Sequence, residues 1–90
     1  MNLDLNNEIA IITGAGRGIG QDIAKKLAKE GVLIISISRT KSHLLKLKKD
    51  LDSINKKNNF IYSLDLGNKN NPKKIIEFLK KNKLYPSIAV

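Results

Sequence analysis

The sequence predicts an α/β fold: an open parallel sheet whose first four strands lie in the order 3-2-1-4, with three connecting helices. Three observations point there. Residues 9–12 (IAII) and 32–38 (VLIISIS) are nearly continuous in apolar, mostly β-branched side chains, as strands buried on both faces of a parallel sheet are. Other stretches place apolar residues at the 3.6-residue period of a half-buried helix. A glycine-rich turn, TGAGRGIG over residues 13–20, joins the first strand to the first helix. Alternating strands and helices with right-handed crossovers give the stated order.

Each element has its own signals. The first strand is predicted over residues 8–13 and the first helix over 18–30. That helix carries Ile19, Ile23, Ala24, Leu27 and Ala28 on one stripe, and Gly31 supplies its left-handed terminator. The second strand covers 32–38. A second helix over 41–57 aligns Leu44, Leu47, Leu51 and Ile54, with lysines opposite. Asn58-Asn59 forms a turn into a third strand, 60–64, which Asp65-Leu66-Gly67 closes. Asn71 caps a third helix that starts with Pro72 at its first position and runs to Lys81. Residues 86–90 (PSIAV) read as a fourth strand.

The strand, the glycine turn and the helix together make a site for a dinucleotide pyrophosphate. Gly14, Gly16, Gly18 and Gly20 allow a tight turn and close approach of the phosphates. The helix behind them points free N–H groups and its positive dipole end at the same place. The spacing is not G-x-G-x-x-G, because position 19 is Ile; nor does a Gly-Lys-Ser/Thr follow, as in the phosphate loop of nucleotide triphosphatases.

On Thr13, Gly14, Gly18 and Gly20 the chain resembles the short-chain dehydrogenases/reductases, whose turn reads T-G-x-x-x-G-x-G. Arg17 breaks the glycine spacing of the extended, sugar-nucleotide-modifying branch. The resemblance implies a Rossmann-type sheet and hydride transfer between a nicotinamide cofactor and a carbonyl or alcohol. It further implies a backbone N–H of Ile19 on the pyrophosphate. Asp65 would accept the adenine amino group, with the N–H of Leu66 on the ring. The other reading of Asp65 is a turn closed onto Gly67.

Cofactor choice is read at the end of the second strand. NAD is usually held there by an acid on the ribose hydroxyls. Here the strand ends Ile37-Ser38-Arg39-Thr40, with no Asp or Glu between Gly31 and Lys49. Arg39 stands where a 2′-phosphate would sit, and Arg17 lies in the glycine turn facing the same end. In the resembled family a basic residue at either position goes with NADP, so NADP is expected over NAD. Guanidinium makes forked, charge-assisted bonds to phosphate oxygens, which gives that preference a physical basis.

Catalytic residues are not expected within these 90 residues. The family uses an Asn, a Ser and a Tyr-x-x-x-Lys pair, all after the fourth strand. Four residues after Tyr62 stands Leu66, and four after Tyr85 stands Ala89, so both tyrosines read as packing residues. His43, the one histidine, reads as a solvated residue on a lysine-rich helix. No metal-ligand cluster is legible.

Composition bounds the remaining possibilities. The formal charge is +9, and fifteen of the seventeen basic residues are lysines. They are spread over helix backs and turns without interleaved aromatics, which reads as solvated faces and not as a specific nucleic-acid surface. There is no cysteine to form disulfides or thiolate metal sites. The N-terminal residues lack the basic flank and apolar core of a signal peptide, and no apolar run approaches the ~20 residues of a membrane span. A cytoplasmic, soluble protein is expected.

The third crossover runs opposite to the first two, so its helix alone should cover the second face of the sheet, and Ile88, Ala89 and Val90 should form a bare apolar edge. The chain therefore reads as the N-terminal part of one dinucleotide-binding domain, the front of a longer oxidoreductase that by resemblance is a homo-oligomer. Alternatives are a stand-alone nucleotide-binding half-domain without catalysis and a basic nucleic-acid-binding protein.

Overall fold

The computed structural model describes residues 7–15, 18–65, 67 and 71–90. Its order is β1 (Ile9–Thr13), α1 (Gly18–Lys29), β2 (Leu33–Ser38), α2 (Lys41–Asn55), β3 (Phe60–Ser63), α3 (Asn71–Lys81) and β4 (Ile88–Ala89). The sheet is parallel with order β3-β2-β1-β4, the Rossmann-type arrangement expected from the sequence. In β2 the four central residues Ile34, Ile35, Ser36 and Ile37 are completely buried, which is why this segment carries no polar alternation.

The faces of the sheet divide as the crossovers require. On one side Ala10, Ile12 and Ile34 pack with Ala24 and Ala28 of α1 and Leu47 and Leu51 of α2. On the other, Ile35, Ile37, Phe60 and Tyr62 pack with Ile75, Phe78 and Leu79 of α3. The Phe78 ring meets Tyr62 edge-on at 4.7 Å and Phe60 at 6.2 Å, so Tyr62 is a packing residue. Tyr85 is not: it is 77% exposed, because it follows the turn out of α3 and precedes the sheet. His43 and the lysines of α3 are exposed, as solvated helix faces are.

Helix ends explain the small differences in boundaries. Gly31, at φ +88°, ends α1; its N–H bonds to the Ala28 carbonyl and that of Val32 to Leu27. The same pattern ends α3, where Lys83 and Leu84 donate to Lys80 and Leu79, with Lys83 in the left-handed region at φ 54°. In α2 the helix stops at Asn55, two residues before the expected end, because Lys56 turns left-handed at φ 57°. The fourth strand is shorter than expected, since Pro86 cannot donate to the ladder. Hydrogen bonds of Ser87 to Ile9 and of Val90 to Ile11 extend its pairing beyond Ile88–Ala89. Ile88 is half-buried against the core cluster that includes Ala10 and Ile12 of β1, so the bare edge is confined to Ala89 and Val90.

At the N-terminal edge of the sheet lies a polar cluster where the sequence suggested only a turn. Asn59 is 1% exposed. Its Oδ1 accepts the Ile34 N–H at 2.9 Å, a donor that β3 is too short to pair. Its Nδ2 donates to Asp52 Oδ1 at 2.6 Å, and the Asn59 backbone N–H reaches the same oxygen at 2.9 Å. Lys48 bonds Asp52 Oδ2 at 2.6 Å and Asn58 at 2.9 Å. Burial alone would raise the Asp52 carboxyl. The bonds from Lys48 and Asn59, with the Lys48 charge, outweigh it and hold the carboxyl below its ordinary value.

Candidate functional site

The strands point their C-terminal ends to one edge, where Thr13–Ala15, the start of α1, Ser38–Lys41 and Ser63–Asp65 meet. The chain leaves β1 in one direction to build β2 and β3 and returns on the other side as β4, so this edge holds the topological switch point. Thr13 closes it: its N–H and its hydroxyl both donate to the Val90 carbonyl, each at 3.1 Å.

The glycines of the turn are required for two different reasons. Gly14 and Gly18 sit at φ +64° and +67°, where an L side chain is strained, and a Cβ on either would point into open space. Gly20 has ordinary backbone, but a Cβ there would lie 2.5 Å from the Gly14 carbonyl oxygen and 3.2 Å from the Ala15 Cα. The third glycine therefore lets α1 press against the turn. The turn is fixed from behind by buried Ala15, whose N–H donates to the Ile37 carbonyl at 3.3 Å. Gly14 and Gly18 thus leave open space beside the start of a twelve-residue helix with no acid in its first turn. That is a cradle for an anion.

Ile19 corrects the expected buried stripe of α1. It is 79% exposed, because it lies one residue into the helix, beyond the last residue of β1, where none of the described elements covers it. Gly16, Arg17 and Leu66 lie outside the described residues.

At the end of β2, Ser38 Oγ accepts the Thr40 N–H at 3.4 Å, and Arg39 is exposed. The Leu64 N–H donates to the Ser38 carbonyl at 2.8 Å and Ser63 Oγ to the Arg39 carbonyl at 3.1 Å, so the end of β3 holds this exit. Beside them is an open hollow of about 270 Å³, lined by Lys41, Ile61, Tyr62 and Ser63. Asp65 Oδ1 accepts the Gly67 N–H at 2.9 Å, which is the turn-closing role. Ser63 carried no signal in the sequence; a serine late in a strand is unexceptional until its partner is known.

Among the described residues no group of three or more His, Cys, Asp or Glu side chains could hold a metal ion. Among the same residues no helix is long and apolar enough to cross a membrane.

The family pattern described as short chain dehydrogenase matches residues 8–85. A very-long-chain 3-oxoacyl-CoA reductase of Kluyveromyces lactis is 52% identical over 44 residues, 49% of this chain and 13% of the relative. The 3-oxoacyl-[acyl-carrier-protein] reductase FabG of Buchnera aphidicola is 38% identical over 80 residues, 88% of this chain and 31% of the relative. Among solved structures, a short chain dehydrogenase of Shigella flexneri 2a complexed with NADP superposes with a TM-score of 0.82 at 26% identity, over 94% of this chain and 36% of that one. L-sorbose reductase of Gluconobacter frateurii, complexed with NADPH and L-sorbose, reaches 0.89 at 24% identity, over 97% and 34%, a likeness of fold. The chain thus spans about a third or less of the proteins it matches.

Proposed function

The chain belongs to the short-chain dehydrogenase/reductase family, and from that membership we propose that it is the NADP-binding part of an oxidoreductase acting on a small carbonyl or alcohol. The observation that carries the reading is the glycine turn, with Gly14 and Gly18 in the left-handed region beside open space and Gly20 packed against the Gly14 carbonyl. A pyrophosphate suits that cradle in charge and in shape. Gly14, Gly16, Gly18 and the N–H groups of Ile19 and Gly20 would hold it, and Thr13 keeps the crevice aligned by tying β1 to the Val90 carbonyl.

Selection of NADP over NAD rests on the exit from β2. An exposed guanidinium on Arg39 is placed there, with Ser38 beside it and no carboxylate nearby in sequence to hold ribose hydroxyls. Arg17 would add a second cation. The Shigella relative, complexed with NADP, supports the same choice. Asp65 gives one oxygen to Gly67, and its other oxygen is the one proposed for the adenine amino group, with Leu66 beside the ring.

When bound, the nicotinamide would supply or accept the hydride, and these residues would bind and orient its carrier. The proton donor is proposed to come from a Tyr-x-x-x-Lys pair, a spacing these 90 residues do not contain. The substrate class rests on the reductases named above.

Titration of the chain with NADPH and NADH tests the reading. Arg39→Ala is expected to weaken NADPH about ten-fold, the scale of one charge-assisted hydrogen bond, and to leave NADH nearly unchanged. Equal weakening of both would make Arg39 a structural residue and end the NADP assignment.

A further inference from the structure

We propose that Ser63 is a positioning residue for cofactor discrimination, acting through the main chain of Arg39. The inference rests on the NADP reading above and adds a residue to it.

Ser38 and Ser63 are register partners at the ends of β2 and β3. Beyond them β2 leaves the sheet to enter α2, and the peptide unit that makes the exit is the one joining Arg39 to Thr40. Both of its polar groups are held. The carbonyl accepts from Ser63 Oγ at 3.1 Å, and the N–H donates to Ser38 Oγ at 3.4 Å. Two serine hydroxyls on neighbouring strands thus clamp one peptide plane from either side.

That plane sets ψ of Arg39 and so helps to set the direction of its Cα–Cβ bond. Arg39 is exposed, and no partner for its guanidinium is found among the described residues, so none of those residues directs it. A long side chain on an unclamped strand exit would have to lose backbone as well as rotamer freedom on meeting a phosphate. Holding the peptide in advance removes the first of those costs. Ser63 needs no contact with the ligand to do this.

The effect should appear only where a 2′-phosphate is present. Ser63→Ala is expected to weaken NADPH about three-fold, the lower range for a solvent-exposed hydrogen bond, and to leave NADH within error. Ser63→Thr, which keeps the hydroxyl and suits a strand, should restore NADPH. In an Arg39→Ala background, Ser63→Ala should have no further effect on NADPH, because the residue it positions is gone. Urea unfolding of each variant separates binding from folding. The inference is overturned if Ser63→Ala weakens both cofactors alike, if its effect survives in the Arg39→Ala background, or if Ser63→Thr behaves as the alanine does. Failure of the NADP reading has its own signature, a wild-type chain that loses both cofactors equally on Arg39→Ala; that result overturns this proposal with it.

Discussion

Asn55 and Asn59 face one another as a reciprocal amide pair: Asn55 Nδ2 donates to Asn59 Oδ1 at 2.8 Å, and Asn59 Nδ2 to Asn55 Oδ1 at 3.0 Å. Asn55 also donates to the Val32 carbonyl at 2.8 Å, so the pair ties the end of α2 to the beginnings of β2 and β3. Asn59→Ala would orphan the buried Ile34 N–H along with its partners on Asp52 and Asn55. A loss of about 1–3 kcal/mol is expected in urea unfolding, with cofactor affinity unchanged in the folded protein.

Acid should weaken the same cluster. The folded-state pKa of Asp52 lies below its unfolded value, so on acidification the unfolded chain takes up the proton first. The stabilisation is full above the ordinary carboxylate pKa of about 4 and is lost as pH falls through the lower, folded value. Unfolding free energy measured from pH 6 downward should decline more steeply below pH ~4 for the wild type than for Asp52→Asn.

Gly20→Ala and Gly18→Asn should fail in different ways. The alanine Cβ would meet backbone at 2.5 Å, so α1 or the turn must move; a loss of roughly 1–3 kcal/mol and weaker NADPH binding are expected. Asn tolerates the left-handed region, and a Cβ at position 18 meets nothing within 4 Å, so that variant should fold nearly as well as the wild type. Its side chain should still hinder NADPH by occupying the space ahead of the cradle.

Ser36→Ala is expected to leave stability unchanged or raise it by about 1 kcal/mol. The Ser36 hydroxyl is fully buried in β2, and no hydrogen-bond partner for it is found among the described residues. Lys83→Gly should likewise stabilise, by about 0.5–1 kcal/mol, since glycine takes φ 54° without a Cβ penalty. Urea midpoints of the two single variants and the double variant would check both.

Much of the fold was legible because its signals are local. Continuous apolar runs marked the strands, Leu44, Leu47 and Leu51 marked the buried stripe of α2, and Gly31 announced the end of α1. Where a lysine does glycine's work, at Lys56 and Lys83, nothing in the residue type betrays the turn. Asn59 was hidden for a similar reason: asparagine after asparagine reads as loop, and only the meeting of three elements turns it into a buried hub. In the site, Gly14, Gly18 and Gly20 were readable from spacing, although their separate reasons, dihedral angle and contact, required coordinates. The Ser63–Arg39 bond joins residues on different strands and has no sequence pattern.

The amide cluster and the glycine cradle stand at opposite ends of the same strands. Five or six residues of parallel strand separate them, on the order of 15–20 Å. At that distance, substitutions at the two ends should combine additively. On the proposed reading, cofactor preference at Ser38 and Arg39 should therefore change with little effect on folding: Ser38→Asp, an acid placed to meet ribose hydroxyls, should turn the chain toward NADH while its urea midpoint stays put. A lineage carrying this architecture could exchange one nicotinamide currency for another by changing one exposed corner, with no repair needed at the other end of the sheet.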